Sequence, residues 1–338
     1  RKPARKRQCR EQRVFAEAEI ARATGDSEKE RALLEQALKQ LDPNSEAAFP
    51  VLERLAYNYA DRGLTTQAAE TAERQLRIAG SPGQEHQVLV RLVSAYSALR
   101  QKEKAAASLA RLEQLMLRLR ASKRWESRGQ WWQAGLARAN AAVHASSGHL
   151  AEAEDSLKAC LTSINVVMQK NPDSEGSYQY LDCIRGLIGL QIAPGQLSAA
   201  GAMADQLRVV ADRVSEMKKR PAIEVQVKQV LGRLALEQGK TELARQIFSE
   251  GLAVLRDSNT GDASLRAADL RAQLARVEML LGRWDNAMVW HRQRAAALHN
   301  AGMARGGVPA GTVEFAYTLL RVGKAAEALG MLDTSVAV

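Results

Sequence analysis

Apolar positions along the chain recur at helical spacing: Leu231, Leu234 and Ala235, then, after a break, Leu243, Ala244, Ile247, Phe248, Gly251 and Leu252. A stripe repeating every three to four residues belongs to a helix with one buried face, and the two-residue alternation of strands is almost absent. The break holds Gly239, suited to the left-handed turn that stops a helix, and Thr241, a candidate cap for the next one. This segment therefore predicts a helical hairpin, and the chain as a whole predicts an all-α fold.

The same layout returns along the sequence. Gly25, Gly63, Gly148, Gly195, Gly239, Gly282 and Gly323 each close one amphipathic segment and precede another, and Arg100 fills the equivalent place in a further copy. Successive spacings are 38, 37, 48, 47, 44, 43 and 41 residues, a period that marks a repeat array. Turn-forming segments lie between the copies: DPNS at 42–45, GSPG at 80–83, NPDS at 171–174, SNTGD at 258–262 and RGGVP at 305–309. Ser27 with Glu30 has the spacing of a capping box. The expected organisation is a basic tail or linker at 1–10, then an array over 11–338 of eight hairpins, near 11–42, 46–80, 84–120, 128–170, 176–219, 222–257, 263–303 and 308–338.

Glycine inside a helix costs roughly 1 kcal/mol against alanine, so Gly232 and Gly251 need a reason. Crossing helices approach closely only where side chains are small, with larger groups filling the notch beside them. Gly232 and Ala244 are the expected contact points, Leu231 and Phe248 the filling, and Gly251 the place where the next hairpin rests. A lone hairpin cannot bury its stripe, so neighbours must stack.

This pattern resembles the tetratricopeptide repeat. The sixth copy carries it best, with Leu231-Gly232, Gly239, Ala244 and Phe248. Leu55-Ala56, Tyr59, Gly63 and Ala68 support it in the second copy, Leu92, Tyr96, Ala105 and Leu109 in the third, and Phe315, Ala316, Gly323 and Ala328 in the last. The first copy keeps chiefly Leu34 and Ala37. The later spacings exceed the 34 residues usual for the family, which implies longer helices or loops. The resemblance implies a right-handed α-solenoid that binds proteins. Extended repeats of this kind resemble those fused to bacterial signalling proteins, among them CHAT-type caspase-like proteases, STAND ATPases and kinases.

Composition narrows the function by exclusion. Among 338 residues, 48 Lys and Arg against 38 Asp and Glu give net +10, which favours an acidic partner or surface. Six of the first ten residues are basic. No apolar run approaches about 18 residues, so no membrane span is expected. Cys9, Cys160 and Cys183 are odd in number and far apart, which speaks against a disulfide framework and for a reducing, cytoplasmic setting. The chain begins at Arg1 with no visible leader, as a piece of a longer protein would.

Catalytic patterns are missing: there is no phosphate-binding glycine loop, no His-Glu-x-x-His and no Gly-x-Ser-x-Gly. Cys160 with His144 or His149 could be a nucleophile and base, but Cys160 falls at a small buried position of a second helix and reads as core. His291 occupies the slot of Phe248 and reads as a half-buried packing residue. Trp125, Trp131 and Trp132 read as a hydrophobic lid, with an exposed contact patch as the alternative. No enzyme, cofactor or metal is expected.

Surface therefore remains as the functional element. The resemblance places the first helix of each hairpin on an inner wall that grips peptides. Carried over residue by residue, it puts Arg138, Arg185, Arg233, Arg276 and Arg321 there, with Arg22, Tyr57 and Tyr317 on the same wall. Guanidinium groups donate paired hydrogen bonds to carboxylates or phosphates. The expected partner is a protein or peptide, acidic in character, or a neighbouring domain of the same chain. The expected role is the regulatory or sensor arm of a larger signalling protein. A free-standing adaptor is the alternative, and nucleic-acid binding ranks last because acidic residues intersperse the basic ones.

Overall fold

A computed structural model describes residues 14–21, 27–42, 44–61, 63–170, 176–192, 195–218, 221–257, 265–300 and 312–336. The basic run at 1–10, Arg22, Gly25 and the turn segments at 171–174, 258–262 and 305–309 lie outside the described residues. Within them the chain forms sixteen helices and no strand. It divides into two compact units, residues 1–219 and 220–338.

Five hairpins build the first unit. They are α1 (14–21) with α2 (Ser27–Gln40), α3 (Ala48–Asp61) with α4 (Thr65–Arg77), α5 (Pro82–Ala98) with α6 (Lys102–Arg120), α7 (Trp125–Ser146) with α8 (Leu150–Lys170), and α9 (Gly176–Ile192) with α10 (Leu197–Lys218). Three build the second: α11 (Pro221–Glu237) with α12 (Thr241–Asp257), α13 (Leu265–Leu280) with α14 (Trp284–Asn300), and α15 (Thr312–Arg321) with α16 (Ala325–Val336). Inside each unit a hairpin packs on the one before it, α5 on α4, α9 on α8 and α13 on α12.

The turns share one geometry. Gly63, Gly148, Gly195, Gly239, Gly282 and Gly323 all have φ between 72° and 84°, and Arg100 joins them at φ 56°. At each, the amide after the left-handed residue donates to a carbonyl five residues back, as Lys240 does to Ala235 at 2.9 Å and Gln101 to Tyr96 at 2.9 Å. This motif satisfies carbonyls that a helix end would otherwise leave bare. Arg100 forms it without the freedom of glycine.

One expected cap takes another role. Thr241 is the first residue of α12, and its hydroxyl donates to the Gly239 carbonyl at 3.5 Å instead of accepting from the helix. Glu30, near the start of α2, is buried against α3, where it accepts from Asn58 Nδ2 at 2.8 Å and Arg54 Nη2 at 2.9 Å.

Close helix approach has the expected cause. A Cβ on Gly232 of α11 would lie 2.5 Å from Phe248 Cε1 of α12. One on Gly251 of α12 would lie 3.2 Å from Leu270 Cδ1 of α13, so Gly251 seats the following hairpin. Ala244 and Phe248 are fully buried beside these contacts. The tryptophans belong to a core: Trp132 is buried with Leu89, Val93, Leu112, Leu115 and Leu119, while Trp125 and Trp131 pack on this cluster from its edge.

The cysteine expectation is overturned. Cys160 of α8 and Cys183 of α9 form a disulfide, both fully buried, with Cα atoms 6.3 Å apart. Their sequence separation of 23 spans the second half of α8, the connection and the first half of α9, and the two helices pack together, so distance along the chain was a poor guide. With this bond present, the cysteines no longer speak for a reducing setting.

Two outcomes are expected. Gly232→Ala gains helix propensity but forces the new methyl into Phe248, for a net loss of about 1–2 kcal/mol in urea unfolding that Phe248→Leu in the same chain recovers in part. Thiol labelling of the unfolded, unreduced protein should find Cys9 alone. Replacing Cys160 and Cys183 by serine should cost about 3 kcal/mol, from the loop the bond closes.

Candidate interaction surface

Apart from Arg22, which stands three positions before Gly25, the expected wall residues fall ten, six or two positions before the turn residue, about one helical turn apart, so they share a face of the first helices. Arg22 lies outside the described residues. In the first unit the other members are engaged, Arg138 and Tyr57 by a neighbouring hairpin and Arg185 within its own helix. Asp182 of α9 accepts from Arg138 of α7 at 2.7 Å through one oxygen and from Arg185, one turn along its own helix, at 2.9 Å through the other. Tyr57 is about half exposed, with the Arg91 guanidinium of α5 lying over its ring at 4.3 Å.

Arg91 and Arg54 were not singled out from sequence, though both stand nine residues before their turn, beside the chosen positions. Arg91 donates to Gln75 at 2.6 Å and approaches Glu53 of α3 at 3.6 Å. Arg54 of α3 meets Glu19 of α1 at 3.1 Å and Glu30 at 2.9 Å. Arginines here clasp one first helix to the next.

The second unit differs. Arg233 of α11 is exposed and makes no ion pair with a described residue. Arg276 of α13 reaches Glu237 of α11 only at 4.0 Å. Arg321 of α15 lies over the Trp284 ring at 4.7 Å, and Tyr317 meets the same ring edge-on at 5.8 Å and 78°. Arg321 and Trp284 also line an open hollow of about 500 Å³ together with Arg283 and Asn286. On the α15 face that carries Tyr317, Val313 and Leu320 are also exposed, at 70% and 50%. Unpaired cations and bare apolar groups therefore coexist in this unit.

Among solved structures the chain is similar to the apo form of RapI, at 12% identity and TM-score 0.51, over 87% of this chain and 99% of that one. It is likewise similar to a STAND (signal transduction ATPase with numerous domains) protein with a tetratricopeptide repeat sensor from Pyrococcus horikoshii. That match has 13% identity and TM-score 0.51, and covers 98% of this chain and 46% of the other. The fold is that of a tetratricopeptide repeat protein. No family model matches the sequence, and no curated protein matches it.

The tetratricopeptide fold explains the residues weighed for chemistry. Cys160 is a buried half-cystine, so it offers no thiol to a histidine base. Among the described residues no cluster of His, Cys, Asp and Glu could hold a metal, and no helix is long and apolar enough to cross a membrane. His291 is almost fully buried and stacks on Phe315 of the next hairpin at 5.0 Å, and its burial pushes its pKa down to about 4.

His86 was overlooked in sequence. It sits inside the tryptophan cluster with Nε2 3.0 Å from the Trp132 carbonyl oxygen, and Gly135 makes room for it, since a Cβ there would lie 2.5 Å from its ring. Burial lowers its pKa from 6.5 to about 4. Above 6.5 both folded and unfolded chains hold this imidazole neutral. As pH falls below 6.5 the unfolded chain takes the proton first, so stability drains away until about pH 4, where the folded chain protonates too. The wild type should lose about 3 kcal/mol more than His86→Gln between pH 7 and 4 in urea titrations. Parallel slopes for the two chains would show that His86 is not held neutral.

Proposed function

We propose that this chain is a protein-interaction array and serves as the regulatory or sensor arm of a larger signalling protein. Its occupant is an acidic segment with apolar side chains, from a partner or a neighbouring domain of the same chain. The segment lies along the first helices of the second unit. One observation carries this reading: among the described residues Arg233 forms no ion pair and Arg321 meets the Trp284 ring but no carboxylate, while Val313, Tyr317 and Leu320 stand exposed in the same unit. In the first unit the corresponding cations already hold carboxylates or amides of adjacent helices. An incoming carboxylate there would have to displace an existing partner, whereas at Arg233 and Arg321 it would not. Apolar contacts beside the cations add affinity that charge alone does not give in water.

The STAND protein with its tetratricopeptide sensor offers a precedent for the arm by fold. This analogy selects no partner.

Charge reversal separates the two units. In native pull-downs, Arg233→Glu with Arg321→Glu should reduce capture of the specific partners at least about tenfold, with helicity unchanged. Arg138→Glu with Arg185→Glu should instead lower the stability of the first unit and leave capture largely intact. Equal yields of the same proteins from wild type and the Arg233/Arg321 variant would defeat the proposal.

A further inference from the structure

A second surface stands apart from the first-helix face. The connection between α6 and α7, residues 121–124, is flanked by Arg118, Arg120, Lys123, Arg124 and Arg128, with Glu126 the one acidic residue among 118–128. Arg118 reaches Glu85 at 3.4 Å. Arg120, Lys123, Arg124 and Arg128 are exposed and form no ion pair with any described residue. Elsewhere in the first unit exposed cations are of both kinds: Lys104, Arg111, Lys158 and Arg208 sit beside Glu73, Glu85, Glu154 and Asp205, while Lys39, Arg77, Arg100 and Lys102 form no ion pair with a described residue but are not gathered at one corner.

The placement of this charge is electrostatically unfavourable. Lys123, Arg124 and Arg128 gather at the start of α7, where the backbone amides already present partial positive charge; Glu126 is the one acidic residue of that first turn against these three cations, and no side chain caps the end. Acidic residues belong at such a position for stability. A cation cluster that costs the fold free energy and has no internal partner suits an external anion.

Leu117 identifies the kind of anion-bearing surface. It is 67% exposed, one helical turn before Arg120, so a bare apolar side chain projects beside the cations. Trp125 has no free ring face to offer a base, because Arg120 lies over it at 5.8 Å, Trp132 packs at 6.2 Å and Gly129 fits against it. Stacking platforms for single strands need such a face. Nor does a turn between two helices provide a groove for a peptide. A protruding corner with cations around one apolar residue fits a flat sheet of negative headgroups into which that residue can dip.

We propose that the α6–α7 corner docks the protein, reversibly and peripherally, on bilayers rich in anionic lipid. Each Lys or Arg held near such a surface strengthens binding roughly fivefold, and salt weakens it. The proposal is independent of the occupant assigned to the second unit, since it uses none of those residues.

The test is co-sedimentation of the full chain with vesicles of phosphatidylcholine alone or mixed with phosphatidylserine, at low and high salt. Wild type should bind the mixed vesicles at low salt and release at high salt. Lys123→Glu, Arg124→Glu and Arg128→Glu together should weaken binding about a hundredfold or more. Leu117→Ser should weaken it by a smaller factor that persists when salt is raised. Circular dichroism should report unchanged helicity, since all four side chains are exposed. Equal binding of wild type and the triple variant would place the affinity in another basic segment and overturn the proposal, as would no binding of wild type to mixed vesicles. Loss of random-oligonucleotide binding in the triple variant, with no vesicle binding by wild type, would assign the corner to nucleic acid instead.

Discussion

Everything in this fold depends on helices coming closer than ordinary side chains allow. Where α11 meets α12 there is no space for even a methyl group at Gly232, because the Phe248 ring fills it, and where α12 meets α13 Leu270 fills the notch at Gly251. Glycine weakens each helix taken alone. Stacking returns more than this cost because the notch lets large apolar groups lose contact with water on both sides. Stability in such an array is a sum of hairpin terms and neighbour terms, so each hairpin is held largely by the next one.

Charge follows the same neighbour logic in the first unit. Arg54, Arg91 and Arg138 each find a carboxylate on the first helix of an adjacent hairpin: Glu19, Glu53 and Asp182. Partly exposed pairs of this kind add little stability each, but they fix which turn of one helix faces which turn of its neighbour. The second unit leaves comparable positions open and places apolar groups among them. That contrast divides a structural use of arginine from one available to a ligand. The α6–α7 corner presents a third arrangement: Lys123, Arg124 and Arg128 gather at the N-terminal end of α7 against the single carboxylate of Glu126 and form no ion pair with a described residue.

Sequence reading succeeded where a rule is local and failed where it depends on a partner two helices away. The left-handed turns were legible because one residue and its flanking stripes specify them, and even Arg100 could be placed from the period alone. Gly232 and Phe248 were legible for the same reason, since both belong to one hairpin. Cys160 and Cys183 were not. Each lies on the buried face of its helix, and the repeat implied that α8 and α9 are neighbours, but separation along the chain was taken as separation in space. Asp182 escaped notice because an acidic residue among arginines reveals its role only when the register between first helices is known. Of the candidate wall, sequence indicated the face; which arginines are already engaged is a matter of tertiary geometry.

Hydrogen exchange, read by mass spectrometry on Gly251→Ile, tests the neighbour stacking most directly. The bulky side chain enters the notch where Leu270 sits, so protection should fall across α13 and α14 together with α11 and α12, while helices of the first unit keep theirs. Loss confined to α12, with α13 and α14 protected as in the wild type, would mean that the hairpins stand by themselves and that close packing at the glycines does not hold the array.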